Sequence, residues 1–171
     1  MRHLTHPRSA RHAMSLIELM IVVSVLAILA AIVVPMFGST SDVARTEAMA
    51  SNATQIKSLI IQHAGARDVP LSAQGYPQSI DGTWFKMGHL PDHSWNNGPL
   101  IIEVVNAAVD QIYPAVKTFD PSVVGDKSAW YNTANGRFIV RVPAQSSPAS
   151  TLHLFNSVNK IDTTSLNQTK R

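Results

Sequence analysis

The sequence predicts an α+β fold, in which a long N-terminal helix packs on a small antiparallel β-sheet. Three features support this prediction. An unbroken apolar segment ends at Pro35, an amphipathic helical pattern lies between Asp42 and Ala64, and a strand-turn-strand pattern surrounds Asn135-Gly136. The 171 residues are enough for one domain beyond the apolar segment.

Residues 1–13 form a basic leader. Its three arginines all precede Met14, and the first acidic residue of the chain is Glu18. A basic segment in front of an apolar helix stays in the cytoplasm and directs the C-terminal part across the membrane. Beyond the leader, the remaining 11 of the 14 Lys and Arg residues balance the 11 Asp and Glu residues. This balance lacks the excess positive charge of a nucleic-acid-binding protein, so we expect no nucleic-acid partner.

Residues 14–36 form the predicted membrane-spanning segment. Sixteen residues lie between Glu18 and Pro35, and all but Ser24 are apolar. A helix of about 20 residues rises about 30 Å, which matches the hydrocarbon thickness of a bilayer. A lone carboxylate inside lipid costs roughly 2.5–3.5 kcal/mol, so we expect Glu18 to have a cationic partner. In the alternative, Glu18 lies close enough to the interface to reach water.

A secretory signal that is cut after its apolar core fits this segment poorly. The residues after Ala30-Ala31 are themselves apolar, so a cut there would leave an apolar N-terminus. A plain uncleaved anchor accounts for the apolar run. It does not account for Glu18 or for the abrupt end of the leader at Ala13.

One heptapeptide carries a resemblance to a known family: Ala13-Met14-Ser15-Leu16-Ile17-Glu18-Leu19. It resembles the class III signal of type IV pilins and type II secretion pseudopilins. The resemblance implies that a prepilin peptidase cuts between Ala13 and Met14, that the new N-terminus at Met14 is methylated, and that Glu18 becomes the fifth residue of the mature chain. Because a neighbour could neutralise a buried carboxylate only in the right register, we expect Glu18 to set the register between subunits. Pro35 falls where many pilins carry a helix-bending proline. Ala13 replaces the usual Gly of the family, and Met14 replaces the usual Phe.

The resemblance also implies a function and a location. The protein would be a structural subunit that polymerises through its N-terminal helix, where Glu18 pairs with the N-terminal ammonium of a neighbouring copy. Its partners would be other copies of itself, the prepilin peptidase, membrane lipid and an inner-membrane assembly platform. It would cross the bacterial inner membrane once, with its N-terminus in the cytoplasm and its C-terminal domain in the periplasm.

Two features favour a type II secretion pseudopilin over a pilus subunit. The stretch from Leu90 to Gly98 is loosely similar to the Pro-Asp-Pro-Trp-Gly segment of major pseudopilins. The chain also has no cysteine, whereas many surface pilins close their C-terminal region with a disulfide. The alternative from another class is a single-pass anchored extracytoplasmic binding domain that does not polymerise.

Residues 37–65 are predicted to form the amphipathic half of the helix. Pro35 and the small residues after it predict a bend or weak segment, with Ser41 as a cap where the helix resumes. One apolar face follows at steps of four, three and four residues: Met49, Ala53, Ile56 and Ile60. This face is expected to pack on the sheet.

Residues 66–171 are predicted to form a small domain of loops and antiparallel strands. A long irregular connection comes first, attached to the core by Tyr76, Trp84, Phe85, Met87 and Leu90. A strand follows at residues 100–105, and a hairpin at residues 128–142 turns at Asn135-Gly136. In its second strand the alternation predicts Phe138, Val140 and Val142 inside and Arg137, Ile139 and Arg141 outside. A short helix or a turn is expected near residues 152–158, and the polar tail from Asp162 to Arg171 is expected to be frayed.

Candidates for chemistry are weak. No catalytic motif stands out, so we expect no enzyme. His89 and His93 have the spacing of a metal pair on a helix, but Pro91 lies between them. Asp120 and Asp126 flank Gly125 and are candidate Ca²⁺ ligands, although a turn with solvated acids is the favoured interpretation. No other cofactor is expected.

Overall fold

The chain contains one long helix and a small domain of short strands. The computed structural model describes residues 15–96 and 98–170, and for residues 33–40 it describes the backbone only. The chain divides into two compact units, Met1–Ser41 and Asp42–Arg171. Helix α1 spans Leu16–Ala66 and contributes residues to both units. The predicted α+β class is confirmed.

Helix α1 is continuous, so the prediction that Ser41 caps a second helix is wrong. A single proline removes one backbone hydrogen bond, which need not end a helix when the turns on either side are intact. The bend at Pro35 stays a prediction. The helix ends instead at Ala66, where Arg67 adopts a left-handed conformation with φ of 54° and its amide donates to the carbonyl of His63 at 2.9 Å.

The predicted apolar face of α1 is confirmed as part of the core of the second unit. Its four residues are each at most 1 % exposed: Met49, Ala53, Ile56 and Ile60. They belong to one cluster with residues of the sheet and of helix α2 (Pro148–Asn159), including Tyr131, Phe138 and Phe155. The helical spacing therefore identified the correct side of α1.

The described residues form seven short strands in three small sheets. The central sheet has the order β3 (Ile102–Val105), β5 (Ala129–Asn132), β6 (Arg137–Val140). Beside it lie the antiparallel pair β1 (Asp92–His93) and β2 (Gly98–Pro99), and the parallel pair β4 (Thr118–Phe119) and β7 (Val142–Pro143). The connection of residues 66–99 packs much as predicted: Phe85 is buried in the core, and three further residues are partly buried against it, Tyr76, Trp84 and Leu90. Met87 is the exception and is 77 % exposed.

The central sheet is mixed rather than purely antiparallel. Strands β5 and β6 form the predicted antiparallel hairpin, but β3 pairs with β5 in parallel. The long connection between β3 and β5 returns the chain to the same end of the sheet, as a parallel pair requires. At the hairpin turn Gly136 has φ of +67°, and a side chain there would overlap the ring of Tyr76.

Strand β6 is covered on both faces, so the predicted alternation in this strand is wrong. Ile139, expected outside, is fully buried, and Arg141 is only 7 % exposed. The buried guanidinium of Arg141 has three hydrogen-bond acceptors. It donates to the Val116 carbonyl at 2.9 Å, to the Lys127 carbonyl at 3.1 Å and to the carboxylate of Glu103. A strand with two covered faces loses its period of two because both sets of side chains are inside.

The outer edge of β6 is covered by a side chain of helix α2. The Asn159 carboxamide accepts from the Val140 amide at 2.8 Å and donates to the Val140 carbonyl at 2.8 Å. These are the two bonds that a further strand would make at this position. Helix α2 itself confirms the predicted short helix, with Ser147 as its N-cap.

The C-terminal segment is ordered, so the prediction of a frayed tail is wrong. The ammonium of Lys117, only 2 % exposed, donates to the carbonyls of Leu166 at 2.8 Å, Pro114 at 3.3 Å and Gln168. The Thr169 carbonyl also accepts from the amides of Ile112 and Tyr113. Sequence composition indicated a polar tail, but it cannot show that a lysine about 50 residues earlier finds its carbonyl partners there.

His93 is buried among aromatic rings. Its ring centroid lies 4.4 Å from that of Phe119 and 5.5 Å from that of Trp95. Its Nδ1 accepts from the Trp95 amide at 3.4 Å, which leaves Nε2 to donate to the Arg141 carbonyl at 3.3 Å. Burial lowers the pKa of His93 to about 4, and the bond to the Arg141 carbonyl only partly opposes this. The imidazole is therefore neutral at pH 7.

Replacing Lys117 by Met should destabilise the second unit. The variant leaves the carbonyls of Pro114, Leu166 and Gln168 without their donor, and we expect a loss of about 2–4 kcal/mol in the free energy of unfolding. The measurement is urea unfolding of the whole chain in detergent, followed by emission of Trp84, Trp95 and Trp130, which all lie in the second unit. Lys160→Met is the matched control, because that ammonium is exposed and forms a surface ion pair with Glu47. Equal midpoints for the two variants would contradict the role of Lys117.

The second unit should lose stability in acid because of His93. The unfolded chain takes up a proton on this ring near pH 6.5, and the folded chain only near pH 4. The free energy of unfolding is therefore unaffected by this ring above pH 6.5, and it falls by about 3 kcal/mol as the pH drops toward 4. Urea unfolding at several pH values gives the slope of the free energy of unfolding against pH. His93→Gln should flatten it, whereas the exposed His153→Gln should keep it; an unchanged slope in His93→Gln would refute the assignment.

Candidate functional site

The start of α1 is closed by two reciprocal hydrogen bonds between Ser15 and Glu18. The Glu18 amide donates to Ser15 Oγ at 3.2 Å, and the Ser15 amide donates to Glu18 Oε2 at 2.8 Å. The Leu19 amide donates to the Ser15 carbonyl at 3.2 Å and completes the first turn. This arrangement is a capping box: the side chain of each of the two residues accepts a hydrogen bond from the backbone amide of the other. Both amides would otherwise lack a partner within the helix.

Sequence reasoning missed this cap. The signal was present, because Ser15-Leu16-Ile17-Glu18 has the Ser-x-x-Glu spacing of a capping box. Glu18 was predicted to have a partner in another molecule, and in the structure it has one in its own chain, the Ser15 amide. Only Oε2 is used: within residues 15–96 and 98–170, Oε1 of Glu18 has no hydrogen-bond partner. The carboxylate also lies at the helix N-terminus, where the backbone dipole stabilises negative charge.

The first half of α1 exposes apolar side chains on every side. All residues from Leu16 to Ile32 are exposed, and twelve of them are large and apolar: Leu16, Ile17, Leu19, Met20, Ile21, Val22, Val23, Val25, Leu26, Ile28, Leu29 and Ile32. Two polar side chains lie among them: Glu18, in the capping box, and Ser24, whose hydroxyl donates to the Met20 carbonyl at 2.8 Å and is satisfied inside the helix. A helix that is apolar all round is typical of burial in lipid or among other helices.

No helix in the part of the chain that the structure describes meets the length and apolarity required for a membrane span.

The other residues predicted for this site are placed as follows. Ala13 and Met14 lie outside the described residues. Pro35 lies within the helical backbone of α1, and its side chain is among those not described. The cleavage position and the bend therefore stay predictions.

The candidate Ca²⁺ ligands, Asp120 and Asp126, serve their own loop. Asp120 accepts from the hydroxyl and amide of Ser122 at 2.6 Å and 2.9 Å, and these bonds lower its pKa. Asp126 accepts from the amides of Asp120 at 2.7 Å and Lys127 at 2.8 Å. The carboxylate oxygens thus stabilise the turn, and Ca²⁺ binding by these two residues stays a prediction.

His89 and His93 do not form a pair. His89 is exposed and bonds to the neighbouring Leu90 carbonyl at 2.8 Å, whereas His93 is enclosed by aromatic rings. Among the described residues, no group of three His, Cys, Asp or Glu side chains is arranged to hold a metal ion.

The N-terminal segment matches a known family model. Residues 8–34 match the model described as "Prokaryotic N-terminal methylation motif". The match includes the predicted cleavage position, the capping box and the first half of α1, and it covers 27 of the 171 residues. Searches of curated proteins and of solved structures found no match to the chain. The resemblance of this segment to the class III signal of type IV pilins and pseudopilins is confirmed.

Proposed function

We propose that this protein is the structural subunit of a pilus-type filament, most similar to a type II secretion pseudopilin. A prepilin peptidase cuts it between Ala13 and Met14, Met14 is then methylated, and the first half of α1 mediates polymerisation. The observation that carries this proposal is the methylation motif at residues 8–34. Its second part is the helical segment with apolar side chains exposed on all sides. The motif implies prepilin-type processing and pilus-type assembly in general.

The exposed apolar segment supports a protein that lies first in the membrane and then in an assembled filament. Fully burying one Val, Leu, Ile or Met side chain is worth about 1.5–3 kcal/mol, so twelve of them cannot remain in water. In the sequence the run continues through Val33 and Val34 to Pro35. Lipid of the inner membrane covers this segment before assembly, and the helices of neighbouring subunits cover it in the filament.

The capping box supports a second role for Glu18. Its carboxylate already accepts from the Ser15 amide through Oε2, and a carboxylate can accept further bonds through its other oxygen. In the filament Oε1 accepts from the N-terminal ammonium of a neighbouring copy. A buried charge that is neutralised only in one register selects that register.

The finer assignment to a pseudopilin rests on the second unit. This unit has no disulfide, because the chain has no cysteine, and Lys117 attaches the C-terminal segment to the core instead. The N-terminus lies in the cytoplasm and the second unit in the periplasm, with the peptidase and an inner-membrane assembly platform as partners. A single-pass anchored binding domain that does not polymerise is the rival function, and processing distinguishes the two.

Co-expression with a prepilin peptidase should give a mature chain that begins at Met14. Mass spectrometry of the N-terminal peptide reads both the cut and the added methyl group. Ala13→Gly should be cut at least as fast, since it restores the usual residue of the motif, and the bulky Ala13→Leu should be cut at least tenfold more slowly. A chain that keeps its leader in the presence of an active peptidase would support the anchored binding domain.

Two variants separate the charge of Glu18 from its capping role. Glu18→Gln keeps an acceptor for the Ser15 amide, because Gln also closes a capping box, but it cannot neutralise an ammonium. We expect normal membrane insertion and processing and at least a tenfold loss of filaments, counted in sheared fractions by electron microscopy. Ser15→Ala is the matched control: it weakens the cap by about 1 kcal/mol but keeps the charge, and should still assemble. Normal filament yield from Glu18→Gln would refute the pairing.

A further inference from the structure

A tight turn in the second unit presents a lysine and a methionine to solvent. The Gly88 amide donates to the Phe85 carbonyl at 2.9 Å, which makes Lys86 and Met87 the two central residues of a β-turn. Met87 is 77 % exposed, and Lys86 is exposed beside it. In the described part of the chain, the Lys86 ammonium has no ion-pair partner. Residues 85–88 are called the Lys-Met turn below.

The Lys-Met turn is fixed at both of its ends. Phe85 is only 7 % exposed, and its amide donates to the Gly82 carbonyl at 3.1 Å. At the other end Gly88 has φ of +73°, a conformation that glycine adopts without strain. Gly82 also lies against the backbone of His89, since a Cβ at Gly82 would come within 2.9 Å of the His89 Cα. A surface that is already ordered loses little conformational entropy when it binds a partner.

A groove elsewhere in the second unit has apolar walls. It has a volume of about 710 Å³, lies beside β4 and β7, and includes five apolar residues: Val116, Phe119, Pro121, Pro143 and Ala144. Val116 is 57 % exposed. Among the described residues that line the groove, none belongs to the Lys-Met turn, which lies instead beside Asn52 and Gln55 of α1. The turn of a copy therefore does not occupy the groove of the same copy.

The groove carries a net negative charge. Its charged lining consists of the carboxylates of Glu103, Asp120 and Asp126 and the guanidinium of Arg141. Because Arg141 is paired with Glu103, two negative charges remain. Adding the neighbouring exposed Lys127, which is not part of this lining, still leaves one. The groove therefore suits an apolar side chain that has a cationic neighbour, and the Lys-Met turn offers this combination without an acidic residue.

We propose that the Lys-Met turn of one copy docks in the groove of a second copy of this chain. Met87 then packs against Val116, and the Lys86 ammonium pairs with Asp120 and Asp126. Burial of the methionine supplies attraction, and the complementary charges fix the orientation. Turn and groove are different surfaces, so the contact is head-to-tail and extends into an open chain of copies unless it closes into a ring.

This inference deepens the proposed function, on which the place of the contact in a filament rests. The contact itself lies wholly in the second unit and requires neither leader processing nor the apolar half of α1. It can therefore be tested on the unprocessed full chain in detergent.

Disulfide cross-linking tests the contact, because the chain has no cysteine of its own. A disulfide requires the two Cβ atoms to come within about 4.5 Å of each other. The double variant Met87→Cys, Val116→Cys is oxidised with EDTA present, so that no divalent cation competes for the carboxylates. We expect a ladder of dimers, trimers and larger species on non-reducing gels. The matched control is Met87→Cys, Val109→Cys, since Val109 is a similarly exposed valine outside the groove, and it should cross-link at least tenfold more slowly.

The charge of Lys86 is tested in the same Met87→Cys, Val116→Cys chain. Adding Lys86→Glu should slow cross-linking at least fivefold, because it places a carboxylate against Asp120 and Asp126. Arg67→Glu changes the net charge by the same amount at another exposed position and should leave the rate unchanged. High salt should slow cross-linking of the Lys86 chain, since it screens exposed charges.

Three results would each overturn the proposal. These are a Met87→Cys, Val116→Cys chain that cross-links no faster than its control, a product that stops at the dimer, and a Lys86→Glu variant that cross-links as fast as its parent. None of these measurements involves the peptidase or a filament. Their failure is therefore distinct from failure of the proposed function, which is read from cleavage at Met14 and from filament yield.

Discussion

The structure depends on one helix that meets two different environments. Apart from Glu18 and Ser24, α1 is apolar and exposed from Leu16 to Ile32, and between Met49 and Ile60 it buries a single face in the core of the second unit. The first segment has no protein neighbour to pack against within the described part of the chain, so its apolar surface requires lipid or other helices. The second segment has a polar outer face that suits water. The change in pattern along one helix therefore separates the part that the proposed filament would bury from the part that packs in the core of the second unit.

The second unit is stabilised by buried polar groups whose partners are mostly backbone atoms. Lys117 donates to three carbonyls, Arg141 donates to two carbonyls and one carboxylate, and Asn159 replaces a strand partner of Val140. Each of these side chains joins segments that are distant in sequence. A domain without disulfides can hold long loops in place in this way, because an unpaired buried donor or acceptor is costly and only one arrangement satisfies all of them.

Local patterns in the sequence predicted what depends on local geometry. The spacing of Met49, Ala53, Ile56 and Ile60 identified the buried face of α1, and Asn135-Gly136 located the hairpin turn. The errors came from long-range partners. Ile139 is buried because both faces of β6 are covered, and the C-terminal segment is ordered because Lys117 lies against it. The capping box of Ser15 and Glu18 was readable from the spacing of the two residues alone.

The Asn159 carboxamide bound to the edge of β6 affects how the sheets of neighbouring copies can pair. A sheet with two bare margins can be extended by identical molecules in both directions, which leads to ribbons of misassembled protein. Here the side chain of Asn159 occupies the backbone groups of Val140 at one edge of the central sheet. The other edge strand is β3, which is only four residues long and contains the charged Glu103. In the proposed filament, where many copies lie side by side, these two margins disfavour pairing between sheets and leave association to other surfaces, such as the apolar helix.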